Sequence, residues 1–244
     1  MPELLSEAAV WSLLEGIAER IQKANLPDFR AFFVIGSLAG GYYKLGQSDV
    51  DLLVLFAGSR PDDIEIKEQT KLLVSLLGEM PTGLDVDILP RYESDLATSP
   101  QTGLYIHADL VARLLVQSHQ LAGAYDLSQL RMPGPADFQA EFPSQLRWWQ
   151  ANHGAPEACA APLEAKYLLL ILRFWLAVLR KQLIYNKTEL IAAYRRSSPT
   201  RALPQSLERL LAEYLQAGPI HPGYEKELPS FCGQLSSEIL SFQF

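Results

Sequence analysis

The apolar positions of this chain change rhythm along its length. From Glu3 to Lys23, Leu4, Trp11, Leu14, Ala18 and Ile21 recur near helical spacing among charged residues, which predicts an amphipathic helix. Short unbroken runs follow, Phe32 to Ile35 and Leu52 to Phe56, and these read as buried strands. A third run, Gly83-Leu84-Asp85-Val86-Asp87-Ile88-Leu89, alternates apolar residues with acids and reads as another strand. Between the second and third strands, Arg60 to Gly78 predicts a helix begun after Pro61 and ended near Gly78. Tyr105 to Gln120 predicts a further helix with Leu110, Leu114 and Leu115 on its apolar side. The stretch RMPGPADFQAEFP, residues 131–143, carries three prolines and a glycine and reads as a linker. Beyond it only helical patterns occur: Ser144–Asn152, Leu163–Gln182, Lys187–Arg195, Gln205–Gln216 and Tyr224–Leu240. The expectation is an α+β chain, with a mixed sheet and flanking helices over residues 1–130 and an all-helical domain over 144–244.

The first two strands enclose the most informative segment, FFVIGSLAGGYYKLGQSDVDLLVLF. The first strand stops at Gly36-Ser37, and a short helical segment containing Gly40-Gly41 is expected next. Missing side chains there would let backbone amides approach a bulky anion. Residues two apart on a strand face the same side, so Asp49 and Asp51 project together while Val50 points away. Paired carboxylates form a hard-oxygen site suited to magnesium, which keeps waters and substrate phosphates as its remaining ligands. Asp85 and Asp87 share a face in the same way. In a neighbouring antiparallel or mixed sheet that face can meet the first pair, with Asp85 the first choice and Asp87 the second for a third acid acting as base or metal ligand. Taken singly, Gly-Ser after a strand is more often a turn, and alternating acids are as often a solvated face; the combination at this spacing carries the reading.

These residues resemble the nucleotidyltransferase superfamily that includes DNA polymerase beta and the aminoglycoside adenylyltransferases. The shared pattern is Gly-Ser, an interval of eleven residues from Ser37 to Asp49, Asp49-Val50-Asp51-Leu52, and a third acid on a later strand. The resemblance implies that Gly36 and Ser37 bind nucleotide phosphates, that Asp49 and Asp51 hold Mg2+, and that Asp85 or Asp87 serves as ligand or base. An α/β lobe followed by a helical lobe is similar to the streptomycin/spectinomycin-type adenylyltransferases. There Lys187 matches a lysine that reaches the nucleotide phosphates, with Asn186 capping the helix behind it, and Arg173 matches an arginine on the preceding helix. The implied activity moves AMP from ATP onto an acceptor hydroxyl of an aminoglycoside-like small molecule, a route to antibiotic resistance. The acceptor side departs from that pattern: Ala161-Pro162-Leu163-Glu164-Ala165-Lys166 keeps one acid, Glu164, and reverses the sign at Lys166. Tyr105 lies where those enzymes place an aromatic residue against the acceptor, although core packing is its expected role. Of Trp148 and Trp149, adjacent on a helix, at most one can line a cleft. Two other classes stay open, a protein-modifying or antitoxin-type transferase and a non-catalytic nucleotide-binding protein on the same fold.

Composition narrows the partners. A net charge of −7, with no block of Lys or Arg, disfavours a polyanionic nucleic acid and suits a cationic small molecule. The apolar stretch Tyr167–Leu179 is interrupted by Arg173 and falls short of the ~20 residues a bilayer needs, so no membrane is expected. No secretory signal pattern opens the chain, and the cytoplasm is the expected compartment. Cys159 and Cys232 offer no disulfide framework, and they and the scattered His107, His119, His153 and His221 are expected to be structural or surface residues.

Overall fold

A computed structural model of the chain describes residues 6–44, 48–153, 161–198 and 202–244. The chain divides into two compact units, Met1–Met132 and Pro133–Phe244.

The first unit is built on a four-stranded mixed sheet in the order β3-β2-β1-β4, with β1 at Phe29–Ile35, β2 at Val50–Phe56, β3 at Val86–Tyr92 and β4 at Ser118–Gly123. β1 is antiparallel to both β2 and β4, while β2 and β3 run parallel with Asp51 opposite Asp87. The parallel pair needs a crossover, and α2 (Asp63–Leu77) supplies it. One face of the sheet, carrying Phe32, Val34, Val50, Leu52, Val54, Phe56 and Ile88, packs with Val10, Leu14 and Ile17 of α1 (Glu7–Lys23) and Leu73 and Leu77 of α2 in one core. Each helix is locally specified. Ser6 caps α1 by accepting from the Ala9 amide at 3.2 Å, and Asp62 caps α2 by accepting from the Ile64 and Glu65 amides, both at 2.9 Å. Arg20 of α1 donates to the Leu76 and Leu77 carbonyls at 2.7 and 2.6 Å, satisfying groups that the end of α2 leaves open.

The expected helix from Tyr105 to Gln120 is shorter than its pattern. It occupies Ala108–Val116 as α3, and Ser118–Gly123 forms β4 instead. Gln117, at φ −146° and ψ 62°, breaks the helix, and the open edge of β1 then offers a ladder partner that outweighs local helix preference.

The second unit is all helix: α4 (Pro135–His153), α5 (Ala161–Leu179), α6 (Lys187–Ser197), α7 (Gln205–Leu215) and α8 (Glu227–Ser241). The expected linker at 131–143 is helical from Pro135 onward. Proline at a helix start costs nothing, since that N–H has no partner in any case, and the Asp137 carboxylate receives the Gly134 amide at 2.8 Å. Further along, Phe138 and Phe142 pack on Phe174 of α5, which compensates for the rung that Pro143 removes. α5 is the central helix, buried from Glu164 to Val178 on most of its surface and packed with α4, α6, α7 and α8. Its apolar character therefore reflects a helical core. Among the described residues, no helix is long and apolar enough to cross a membrane.

Candidate active site

β1 ends with Ile35 in register with Asp51, and the chain leaves the sheet at Gly36. Gly36 has φ +80°, and a Cβ there would lie 2.5 Å from Asp51 Oδ2. Glycine is thus required twice, by the left-handed backbone and by the carboxylate that occupies the side-chain space. The Gly36 amide donates to the Gln117 carbonyl at 3.2 Å, so its contribution to a ligand is room rather than a free N–H. In place of the expected short helix, consecutive turns follow: Gly40 N–H to Gly36 O at 2.9 Å, Gly41 N–H to Leu38 O at 3.2 Å and Tyr42 N–H to Ser37 O at 3.0 Å. At Gly40 the amide is committed to the Gly36 carbonyl, and a Cβ would run into the Tyr42 ring. Ser37 is half-buried at the start of these turns.

Four acids stand at the N-terminal ends of the parallel strands. Asp49 and Asp51 are half-buried, while Asp85 and Asp87 are exposed. The Asp85 carbonyl accepts from the Val50 amide at 2.8 Å, which brings the backbone before β3 against the start of β2. Asp51 and Asp87 are direct partners in the parallel ladder, so one row across the sheet reads Ser118, Ile35, Asp51, Asp87. Tyr43 lies near this group: burial raises its phenol pKa, and the Asp49 charge adds to the rise. Among the described residues its buried hydroxyl has no hydrogen-bond partner.

Among the described residues, no three His, Cys, Asp or Glu side chains converge into a closed metal site. The donor set nevertheless suits magnesium, an ion that typically takes one or two carboxylates and completes its shell with water and substrate phosphate. Asp49 and Asp51, hard-oxygen donors two residues apart at the head of β2, could supply such a set.

With this geometry in view, comparison with known proteins is informative at the level of fold. No family model and no curated protein matches the chain. Among solved structures, the spectinomycin adenyltransferase AAD(9) from Enterococcus faecialis, determined with ATP and spectinomycin, matches over 94% of this chain and 98% of its own at a TM-score of 0.62 and 13% identity. The protein has a nucleotidyltransferase fold. A toxin–antitoxin structure with AMP-PNP matches 60% of this chain and 91% of its own at 22% identity and a TM-score of 0.28. The E. coli MS115-1 CdnC:HORMA-deltaN complex matches 100% and 94% at 15% identity and a TM-score of 0.33.

On this nucleotidyltransferase fold, most of the remaining expected residues lie in the second unit. Lys187 opens α6, where Asn186 accepts from the Thr188 and Glu189 amides at 3.0 and 3.1 Å. The Lys187 ammonium donates to the Tyr214 hydroxyl at 3.1 Å and sits 5.0 Å from the centre of that ring. The Arg173 guanidinium stacks 4.9 Å from the Tyr185 ring centre. Glu164 is buried and accepts from the Tyr224 hydroxyl at 2.6 Å, so its carboxylate is engaged inside the helical unit. Tyr105 is buried too, with its hydroxyl accepting from the Arg131 amide at 3.0 Å and the Arg131 guanidinium 4.6 Å over its ring. Trp149 is buried and Trp148 is 54% exposed, dividing the pair as helical geometry requires. Cys232 is buried, and Cys159 lies outside the described residues. His107 stands 3.9 Å from the buried Asp95; burial lowers its pKa, and the Asp95 charge opposes that shift.

Sequence reasoning did not single out Gln117, Tyr42 or Tyr43. A polar residue closing a helix and two tyrosines in a loop carry no periodic signal, and only the fold brings them to the Gly36 turn.

Proposed function

We propose that this protein is a magnesium-dependent nucleotidyltransferase that moves AMP from ATP onto an acceptor hydroxyl. The observation that carries the reading is the ladder partnership of Asp51 with Asp87, beside a Gly36 whose missing side chain leaves space for the Asp51 carboxylate. In this reading Ser37 uses its hydroxyl on a phosphate oxygen, Gly36 keeps the approach clear, and Asp49 with Asp51 hold Mg2+. When bound, the ion would neutralise phosphate charge and orient the α-phosphate. Asp87 takes the acceptor hydroxyl proton on a carboxylate oxygen, and the hydroxyl oxygen then attacks the α-phosphorus as pyrophosphate leaves. Asp87 is preferred to Asp85 because it is the residue level with Asp51. Catalysis on this plan comes from positioning and charge neutralisation.

For the acceptor we favour a cationic small molecule of the aminoglycoside type. The net charge of −7 attracts such a ligand, and the AAD(9) structure of the same fold holds spectinomycin. The acids that would bind it are not Glu164, whose carboxylate is committed to Tyr224.

Calorimetric titration of ATP, GTP, CTP and UTP, with and without magnesium, into the wild type and Asp49→Asn/Asp51→Asn tests this reading. Magnesium-dependent binding of ATP, lost in the folded variant, is the expected result. Equal binding by the variant, or no triphosphate bound by the wild type, would overturn it.

A further inference from the structure

We infer that Gln117 is a positioning residue for the nucleotide: with Tyr42 it latches the turn from Gly36 to Tyr42 into the form that receives a polyphosphate. The inference rests on the function proposed above for that turn.

Gln117 touches both ends of the turn. Its backbone carbonyl accepts from the Gly36 amide at 3.2 Å, and its side-chain Oε1 accepts from the Tyr42 hydroxyl. The residue is itself fixed, being only 5% exposed and donating its amide to the Arg113 carbonyl of α3 at 2.9 Å. Between the two anchored ends lies Gly40, where a Cβ would collide with the Tyr42 ring and stand 3.1 Å from Gln117 Oε1. The absence of a side chain at Gly40 is therefore what allows the Tyr42 ring to cross the turn and reach Gln117. Immediately after Gln117 comes Ser118, which pairs with Ile35 in the row that contains Asp51 and Asp87. A single buried residue thus ties the Ser37 turn to the strand row that bears the acids.

The physical consequence is pre-organisation. A turn held only by its own few backbone bonds must be ordered when the ligand binds, and that ordering cost subtracts from affinity. Anchoring both ends to α3 and β4 removes much of the cost beforehand. Neither Gln117 nor the Tyr42 hydroxyl needs to touch the nucleotide for this to hold.

Two variants separate the latch from general packing. Tyr42→Phe keeps the ring over Gly40 and deletes the donor; Gln117→Met keeps the length of the side chain and deletes the acceptor. Each is expected to weaken binding of ATP with magnesium about fivefold, the equivalent of one net hydrogen bond. The double variant should lose no more than either single one, because both remove the same bond. Hydrogen exchange of the 36–44 peptide without nucleotide should quicken in both variants while α1 and α5 peptides stay unchanged. Unchanged exchange overturns the latch itself. Wild-type affinity in Tyr42→Phe, or fully additive losses, overturns its role in binding. A wild type that binds no triphosphate overturns the proposed function of the turn, and the exchange result then decides the latch by itself.

Discussion

Asp51 and Asp87 face each other across the parallel ladder of β2 and β3, each at the second position of its strand. Two carboxylates in register on adjacent strands set like charges side by side, an arrangement that a bound cation would offset. That relation is what the chemistry proposed for the pair rests on.

Gly36→Ala should be far more damaging than Gly41→Ala. Both glycines have positive φ, but a Cβ at position 36 meets Asp51 Oδ2 while one at position 41 meets nothing within 4 Å. The expected losses are about 1–2 kcal/mol at position 41 from the backbone alone and about 2–4 kcal/mol at position 36 once steric overlap is added. Denaturant unfolding measures both. Equal losses would mean that the Asp51 carboxylate moves aside freely.

Asp87→Asn should lower turnover by roughly 10²–10⁴-fold, the range of a lost general base, while the affinity for ATP with magnesium stays the same or tightens. Asp85→Asn should leave turnover within about threefold of wild type, in keeping with its position one step outside β3. Pyrophosphate release with an accepted hydroxyl substrate is the measurement, and the reverse ranking would return the base to Asp85.

The Glu164–Tyr224 bond belongs to stability. Tyr224→Phe leaves a buried carboxylate without its donor and should cost about 1–3 kcal/mol. The Tyr224 phenol pKa is raised by burial first and then by its hydrogen bond to Glu164 and that residue's charge. Because the folded value lies above the unfolded one, the contribution is complete below about pH 10 and is lost as pH rises beyond it. Thermal melts between pH 8 and 11 should show an alkaline decline that is smaller in Tyr224→Phe.

Cys232 is buried in α8, and burial pushes its thiol up to about 12. Below about pH 9 both folded and unfolded forms keep the proton; from there through about pH 12 the unfolded form ionises first and stability falls. At pH 8 a thiol reagent should modify the Cys232 peptide only at the rate of opening of the helical unit, read by mass spectrometry. Rapid labelling of the native protein would contradict the burial.

Much of the first unit was legible in the sequence because its signals are local. Short apolar runs bounded by glycine and acids read as strands, and Pro61 and Gly78 bracket α2, whose cap in the structure is Asp62. β4 was not legible: Ser118-His119-Gln120-Leu121-Ala122-Gly123 continues a helical pattern, and it becomes a strand because β1 has an unpaired edge beside it. The helical start of α4 was hidden in the same way, since Pro135 is a breaker inside a helix but acceptable at its first turn.

The sequence by itself determined the α+β order, the presence of two acidic pairs at strand starts, and the glycine-serine step before them, because period-two alternation and glycine placement are properties of neighbouring residues. Only the tertiary structure decided that Asp87 rather than Asp85 stands level with Asp51, that Glu164 is spent on Tyr224, and that Gln117 anchors the Gly36 turn. Those are matters of strand register and long-range contact. A register shift of one residue moves every side chain to the other face, and no local pattern encodes which partner a strand will take.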